Sequence, residues 1–150
     1  MTGNHDLWYL ERHDSGVDSE ATAWLRSLPR RVELTVAGQR IVMVHASPPD
    51  SLLDGIRLLD EEGRLLADEQ ARWSEKLRDC CSEVLIVGHT HQVFAEQLGR
   101  VLAVNPGSTC FNYSCAILQL PELAVTFHSL GGRSQPLLAW NWGLLARAGR

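Results

Sequence analysis

Two short apolar runs in this chain each end on histidine, and that arrangement constrains the fold more than anything else in the sequence. Val84 to Val87 in "EVLIVGHTHQ" is a continuous apolar run that gives way to Gly88-His89-Thr90-His91. Ile41 to Val44 in "RVELTVAGQRIVMVHASP" is a second run, and it delivers His45. Short apolar runs bounded by glycine and polar residues read as buried strands. Val32, Leu34 and Val36 alternate upstream, and Ala37-Gly38-Gln39 turns, so the second run is the return strand of a hairpin.

The remaining elements alternate around these strands. Asp18-Ser19-Glu20 starts a helix with Ala21, Trp24, Leu25 and Leu28 at helical spacing until Pro29 stops it. Leu65 to Cys80 carries Leu66, Trp73 and Leu77 on a charged background, the pattern of an amphipathic helix. Strands are expected at Val93 to Leu98 and Val101 to Val104 around a Gly99 turn, then at Ala116 to Leu120 and Ala124 to Phe127. Helices and strands mixed in this way predict an α/β or α+β domain with helices covering sheets.

Composition narrows the function classes. A length of 150 residues, 45% of them hydrophobic, supports one domain with a real core. The net charge of −4 and the lone basic cluster Arg30-Arg31 lack the footprint of a nucleic-acid binder. No apolar run approaches the roughly 20 residues a membrane helix needs, and no signal-like segment follows Met1. The chain reads as soluble and cytoplasmic, with no nucleic-acid or membrane partner. Cys80, Cys81, Cys110 and Cys115 have no zinc-type spacing and are expected to be reduced.

Polar residues then fall at strand ends. His45 follows one strand, His89 and His91 follow another, and Asn4-His5-Asp6 opens the chain just before its first helix. Ligands gather beyond the carboxyl ends of strands in open sheets. Neutral imidazole and a carboxamide oxygen make a mixed N/O set suited to manganese, iron, zinc or nickel. If Gly-His-x-His is extended, its two rings share one face and serve either one metal each or a shared cluster. His13 and His128 lie outside such a context and are read as ordinary.

Taken in order, Gly3-Asn4-His5-Asp6, Val44-His45-Ala46-Ser47-Pro48, Gly88-His89-Thr90-His91 and Asn105-Pro106-Gly107-Ser108 resemble the signatures of the calcineurin-like metallophosphoesterases, in particular their compact bacterial branch. The resemblance runs from Gly3 to about Leu130, so residues 1–130 are expected to form the phosphoesterase domain and 131–150 a tail packing on it or on a partner. It implies a four-layer αββα sandwich and two metal ions. It also implies that Asn4, His45 and His89 are ligands of one metal and His91 of the other. His5 resembles the catalytic histidine, donating to the phosphoryl group or leaving oxygen, with Asp6 holding its ring. Asn105 to Ser108 resembles a structural turn. Two ions about 3.5–4 Å apart can acidify a water and hold phosphate oxygens, which is the chemistry of phosphate monoester or diester hydrolysis.

The family pattern also includes Asp-x-His and a Gly-Asp motif whose carboxylate bridges the metals, and neither occurs in this sequence. Asp14, Asp18, Asp50 and Asp54 sit in loops or helix starts and do not replace them. The expectation is an N-terminally incomplete copy with one weakly bound metal or none and little activity. Lost strands would leave an open edge and uncovered apolar faces on Val84 to Val87 and Ile41 to Val44, through which a homo-oligomer would pair. Trp140 and Trp142 are expected to cover such a face. Thr2 before Gly-Asn-His and Ala46-Ser47 after the middle histidine differ from phosphoprotein phosphatases, so a small phosphodiester or nucleotide is the expected substrate. A non-catalytic pseudoenzyme and a single-metal binding module on Asn4, His45 and His89 are the alternatives.

Overall fold

The computed structural model describes residues 1–12, 19–132, 134 and 138–139. His13, Asp14, Asp18, Trp140 and Trp142 therefore lie outside the described residues. Three helices and seven strands follow in the order α1 (Asn4–Arg12), α2 (Glu20–Ser27), β1 (Arg31–Val36), β2 (Gln39–Val44), α3 (Ala67–Lys76), β3 (Val84–Ile86), β4 (Val93–Leu98), β5 (Val101–Pro106), β6 (Ser114–Gln119) and β7 (Ala124–Ser129) among those residues.

Local chemistry explains most of the boundaries. Ser19 caps α2 by accepting from the Thr22 amide at 3.2 Å, and Thr22 donates back to the Ser19 carbonyl at 2.8 Å. The apolar face expected for this helix is only partly realised: Thr22 is buried, Leu25 and Leu28 are half-buried, and Trp24 stays exposed. Ala37 and Gly38 take φ of 49° and 78°, the left-handed pair of a two-residue hairpin turn, and pair β1 with β2 from Arg31↔Val44 to Val36↔Gln39. Helix α3 is shorter than the Leu65 to Cys80 pattern; Trp73 and Leu77 are buried as that pattern required, whereas Leu66, at the N-cap, is exposed.

Strands β1 to β5 form one mixed sheet in the order β1-β2-β3-β5-β4, with β3 parallel to both β2 and β5. The period of two divides its side chains cleanly. Val42, Val44, Leu85 and Ala103 point into a core with Ile56, Leu58, Trp73 and Leu77. Ile41, Val84 and Val104 point the other way and pack with Leu118, Leu120, Leu123 and Val125 from the antiparallel pair β6-β7. The result is a mixed α/β sandwich in which α3, the large sheet and the β6-β7 pair are stacked layers.

One expectation is overturned here. Ile41, Val42, Val44, Val84, Leu85 and Val87 are buried and Met43 and Ile86 half-buried, so these faces are largely covered rather than open. Strand β3 lies inside the sheet, and the free edges belong to β1 and β4. Leu34 and Val36 on β1 are exposed.

Candidate functional site

Three segments meet at one end of the large sheet. The first is Thr2-Gly3-Asn4. Thr2 is pinned to the α2–β1 connection through its amide to the Pro29 carbonyl at 2.9 Å and its hydroxyl to the Leu28 carbonyl at 2.8 Å. Asn4-His5-Asp6 does not precede a helix but forms the first turn of α1. Its propensity is poor, and the turn is instead closed by Asp6, whose carboxylate accepts from the Gly3 amide at 2.7 Å. A carboxylate in the first turn satisfies an otherwise unpaired N–H and complements the helix dipole.

The second segment is His45 at the end of β2, and the third is the loop after β3. Asn4 Oδ1 lies 2.7 Å from His45 Nε2, and His89 Nδ1 lies 3.2 Å from the same nitrogen. The His45 and His89 rings meet edge to face with centroids 5.1 Å apart. A Cβ on Gly3 would meet the His45 ring at 3.0 Å, so any larger residue there would push that ring by a few tenths of an ångström.

The third segment departs from the extended strand end expected for Gly-His-x-His. His89 and His91 take φ of 64° and 52°, in the left-handed region. Gly88 does not carry the turn: its φ is not in that region, and a Cβ there would make an ordinary 3.5 Å contact with the His45 carbonyl. Both rings nevertheless line one cavity of about 710 Å³, together with Asn4, His45, His5 and Asp6.

Buried amides hold that loop in place. Asn105 is fully buried and donates to the Gly88 carbonyl at 3.2 Å and the Thr90 hydroxyl at 3.0 Å, while accepting from the Gly107 amide at 3.0 Å. The Asn-Pro-Gly-Ser turn thus has a defined structural task. Asn112 donates to the His91 carbonyl at 2.8 Å. Thr90 donates to the Ile56 carbonyl at 3.0 Å, and Gln92 Oε1 accepts from the Leu58 and Leu59 amides at 2.8 and 3.1 Å. Thr90 and Gln92 face the interior while the intervening histidines face the cavity.

Electrostatics favours neutral rings. Burial pushes His45 from 6.5 down to about 4; nearby His89 adds to the depression and Asp6 opposes it. Burial also lowers His89, aided by the charges of Arg57 and His5, against a hydrogen bond from the ring to the Leu53 carbonyl. His91 is lowered by burial, then by His89 and His5. Neutral imidazoles keep the lone pairs that a metal requires, and a backbone carbonyl behind a ligating ring fixes its orientation.

The donor chemistry fits one cation. Asn4 Oδ1, His45 Nε2 and His89 Nδ1 converge as a mixed N/O set on the cavity wall. No three His, Cys, Asp or Glu side chains come together as a ligand group among the described residues, so the carboxamide is what completes the triple. His91 stacks on Phe111 at 4.5 Å and 19°. Asp50 and Asp54 are exposed, and neither lines this cavity.

His5 and Asp6 do not form the expected pair. Successive helical positions diverge by about 100°, and Asp6 is bonded to Gly3 while the exposed His5 ring stacks on Trp8 with centroids 4.9 Å apart. Gly55 and Arg57 are site residues that sequence reasoning missed. A Cβ on Gly55 would meet Thr90 Cγ2 at 2.5 Å and His89 Cδ2 at 3.0 Å. Arg57 lines the cavity. Neither falls in a recognisable motif, and only their shared position before the buried Leu58-Leu59 pair connects them. His128 lies on β7, outside the cavity lining, and the four cysteines are free thiols.

A profile of the calcineurin-like phosphoesterase superfamily domain matches residues 1–122. The chain belongs to that superfamily. Among solved structures it is similar to a hypothetical protein of Pyrococcus horikoshii OT3, at 18% identity and a TM-score of 0.59, over 86% of this chain and 48% of that one. It is also similar to a metallophosphoesterase from Sphaerobacter thermophilus, at 20% identity and a TM-score of 0.57, over 87% of this chain and 65% of that one. The chain thus spans about half the length of the first of these and about two thirds of the second. No curated protein matches it significantly. The chain therefore carries a calcineurin-like phosphoesterase superfamily domain over residues 1–122, and no helix among the described residues is long and apolar enough to cross a membrane.

Proposed function

We propose that this chain binds a divalent cation through Asn4, His45 and His89 and hydrolyses a small phosphodiester or nucleotide in preference to a phosphoprotein. The observation that supports this most directly is the convergence of Asn4 Oδ1, His45 Nε2 and His89 Nδ1 at 2.7 and 3.2 Å in a cavity that also receives His5 and His91. A bound manganese, iron, zinc or nickel ion would supply Lewis acidity to phosphoryl oxygens and acidify a nearby water. In this reading His91 faces a second, weaker cation position, and His5 protonates the leaving oxygen from the cavity rim. Asp6 serves by fixing the first turn of α1 and by placing negative charge near His45. With three donors for one ion and no Asp-x-His or Gly-Asp motif in the sequence, the expected turnover is slow.

Expression of the chain, metal analysis and an assay with bis(p-nitrophenyl) phosphate and manganese test the reading. One equivalent of metal and slow, metal-dependent release of p-nitrophenol are expected. Two tightly held metals with rapid turnover would refute the single-ion account. The separation of Asp6 from His5 supports a second reading, a single-metal binding module without catalysis; tight stoichiometric metal with no hydrolysis would select it.

A further inference from the structure

Arg57 is the only lysine or arginine side chain lining the histidine cavity among the described residues. Arg31, Arg64, Arg72 and Arg78 are spent on carboxylate partners, whereas Arg57 is exposed and forms no ion pair among the described residues. Its backbone is unusually well fixed for an exposed residue. Ile56 and Leu58 on either side are fully buried. The Ile56 carbonyl accepts from Thr90, and the Leu58 amide donates to Gln92. Thr90 and Gln92 alternate with His89 and His91, so the arginine and the histidine loop are held as one unit. Its charge also reaches His89, where it helps keep that ring neutral.

We propose that Arg57 is the anion-binding residue of this cavity, gripping the non-bridging oxygens of a phosphoryl group set beside His89. A guanidinium matches two such oxygens with parallel N–H donors, an arrangement lysine cannot reproduce. An unpaired cation costs little in an open cavity and becomes useful when an anion arrives. The inference rests on the phosphoesterase reading for its substrate, but it concerns binding and can be tested without turnover.

The experiment measures inorganic phosphate binding to the full, manganese-loaded chain by calorimetry, for the wild type, Arg57→Gln and Arg57→Lys. Charge-assisted hydrogen bonds of this kind predict phosphate affinity about 10- to 100-fold weaker in Arg57→Gln, with Arg57→Lys in between. Metal content and thermal midpoint should stay close to the wild type in both variants at neutral pH, because Arg57 is not one of the proposed metal donors, forms no ion pair among the described residues, and His89 is held neutral chiefly by burial; their constancy separates a lost anion site from a misfolded chain. Phosphate affinity within twofold of wild type in Arg57→Gln would overturn the proposal, as would a wild type that binds no phosphate. Phosphate binding that depends on Arg57 without ester hydrolysis would instead count against the phosphoesterase reading alone.

Discussion

Gly55→Ala adds one methyl group and removes no metal donor, yet the packing around it makes the change costly. The new Cβ would meet Thr90 Cγ2 at 2.5 Å and His89 Cδ2 at 3.0 Å, where ordinary contact begins near 3.4 Å. Thr90 cannot swing aside freely, because its hydroxyl is bonded to the Ile56 carbonyl and to Asn105, each at 3.0 Å. The loop must therefore move by about 1 Å, and overpacking of this kind costs about 1–3 kcal/mol. Metal–ligand distances tolerate only about 0.2 Å, so displacement of His89 should weaken binding by roughly 10- to 100-fold, as loss of a supporting contact does elsewhere. Urea unfolding in chelator reads the stability term, and calorimetric titration with manganese reads the affinity. The double variant Gly55→Ala/Thr90→Ser deletes the clashing methyl and keeps the hydroxyl, so it should recover most of both losses. Wild-type affinity in the single variant, or no recovery in the double, would show that Gly55 does not set the position of His89.

Two further predictions follow from the same geometry. Asn105→Ala removes its bonds to the Gly88 carbonyl, the Thr90 hydroxyl and the Gly107 amide, but the carbonyl keeps the Thr90 amide at 2.7 Å and the hydroxyl keeps the Ile56 carbonyl, so the half-buried Gly107 amide loses its partner at a cost of about 1–3 kcal/mol; a drop in the urea midpoint equivalent to about 1–3 kcal/mol is expected, and an unchanged midpoint would mean the turn is not anchored by this side chain. Acidification should destabilise the metal-free chain: His45 titrates at about 4 when folded and near 6.5 when unfolded, so between those values the unfolded chain binds a proton that the folded one does not. His89 and His91 shift in the same direction. Urea midpoints in chelator should therefore fall as pH drops from 6.5 towards 4, with the slope reduced in His45→Gln; a midpoint that rises on acidification would refute the assignment of buried neutral rings.

The strands were legible because both signals that define them survive in the sequence. The unbroken apolar run Ile41 to Val44 is a strand with Val42 and Val44 in one core and Ile41 in the other, and the Ala37-Gly38 turn marks its hairpin, whereas the alternation of Val32, Leu34 and Val36 leaves Leu34 and Val36 exposed. Helix α1 was not legible, because Asn4-His5-Asp6-Leu7-Trp8 has weak propensity and its start depends on Asp6 capping Gly3, a contact without a hydrophobic period. The convergence of Asn4, His45, His89 and His91 on one cavity was legible through ordered motifs, since chemistry restricts which residue types can serve there. The loop conformation that places them was not: a strand-end pattern suggests extended backbone, whereas His89 and His91 are left-handed in a loop that accepts bonds from Asn105 and Asn112 far along the chain. Gly55 and Arg57 escaped for the same reason, as their importance lies in what approaches them. Burial of both sheet faces likewise depends on the β6-β7 pair folding back, which strand patterns alone do not specify.

The left-handed backbone at His89 and His91 sets an opposition between durability and use. A chain selected for persistence alone would place glycine at φ of 64° and 52°, relieving roughly 1 kcal/mol at each position. Histidine tolerates this region better than most side chains, which narrows the penalty without abolishing it. Replacing either residue with glycine should therefore raise the stability of the metal-free chain while removing an imidazole from the cavity.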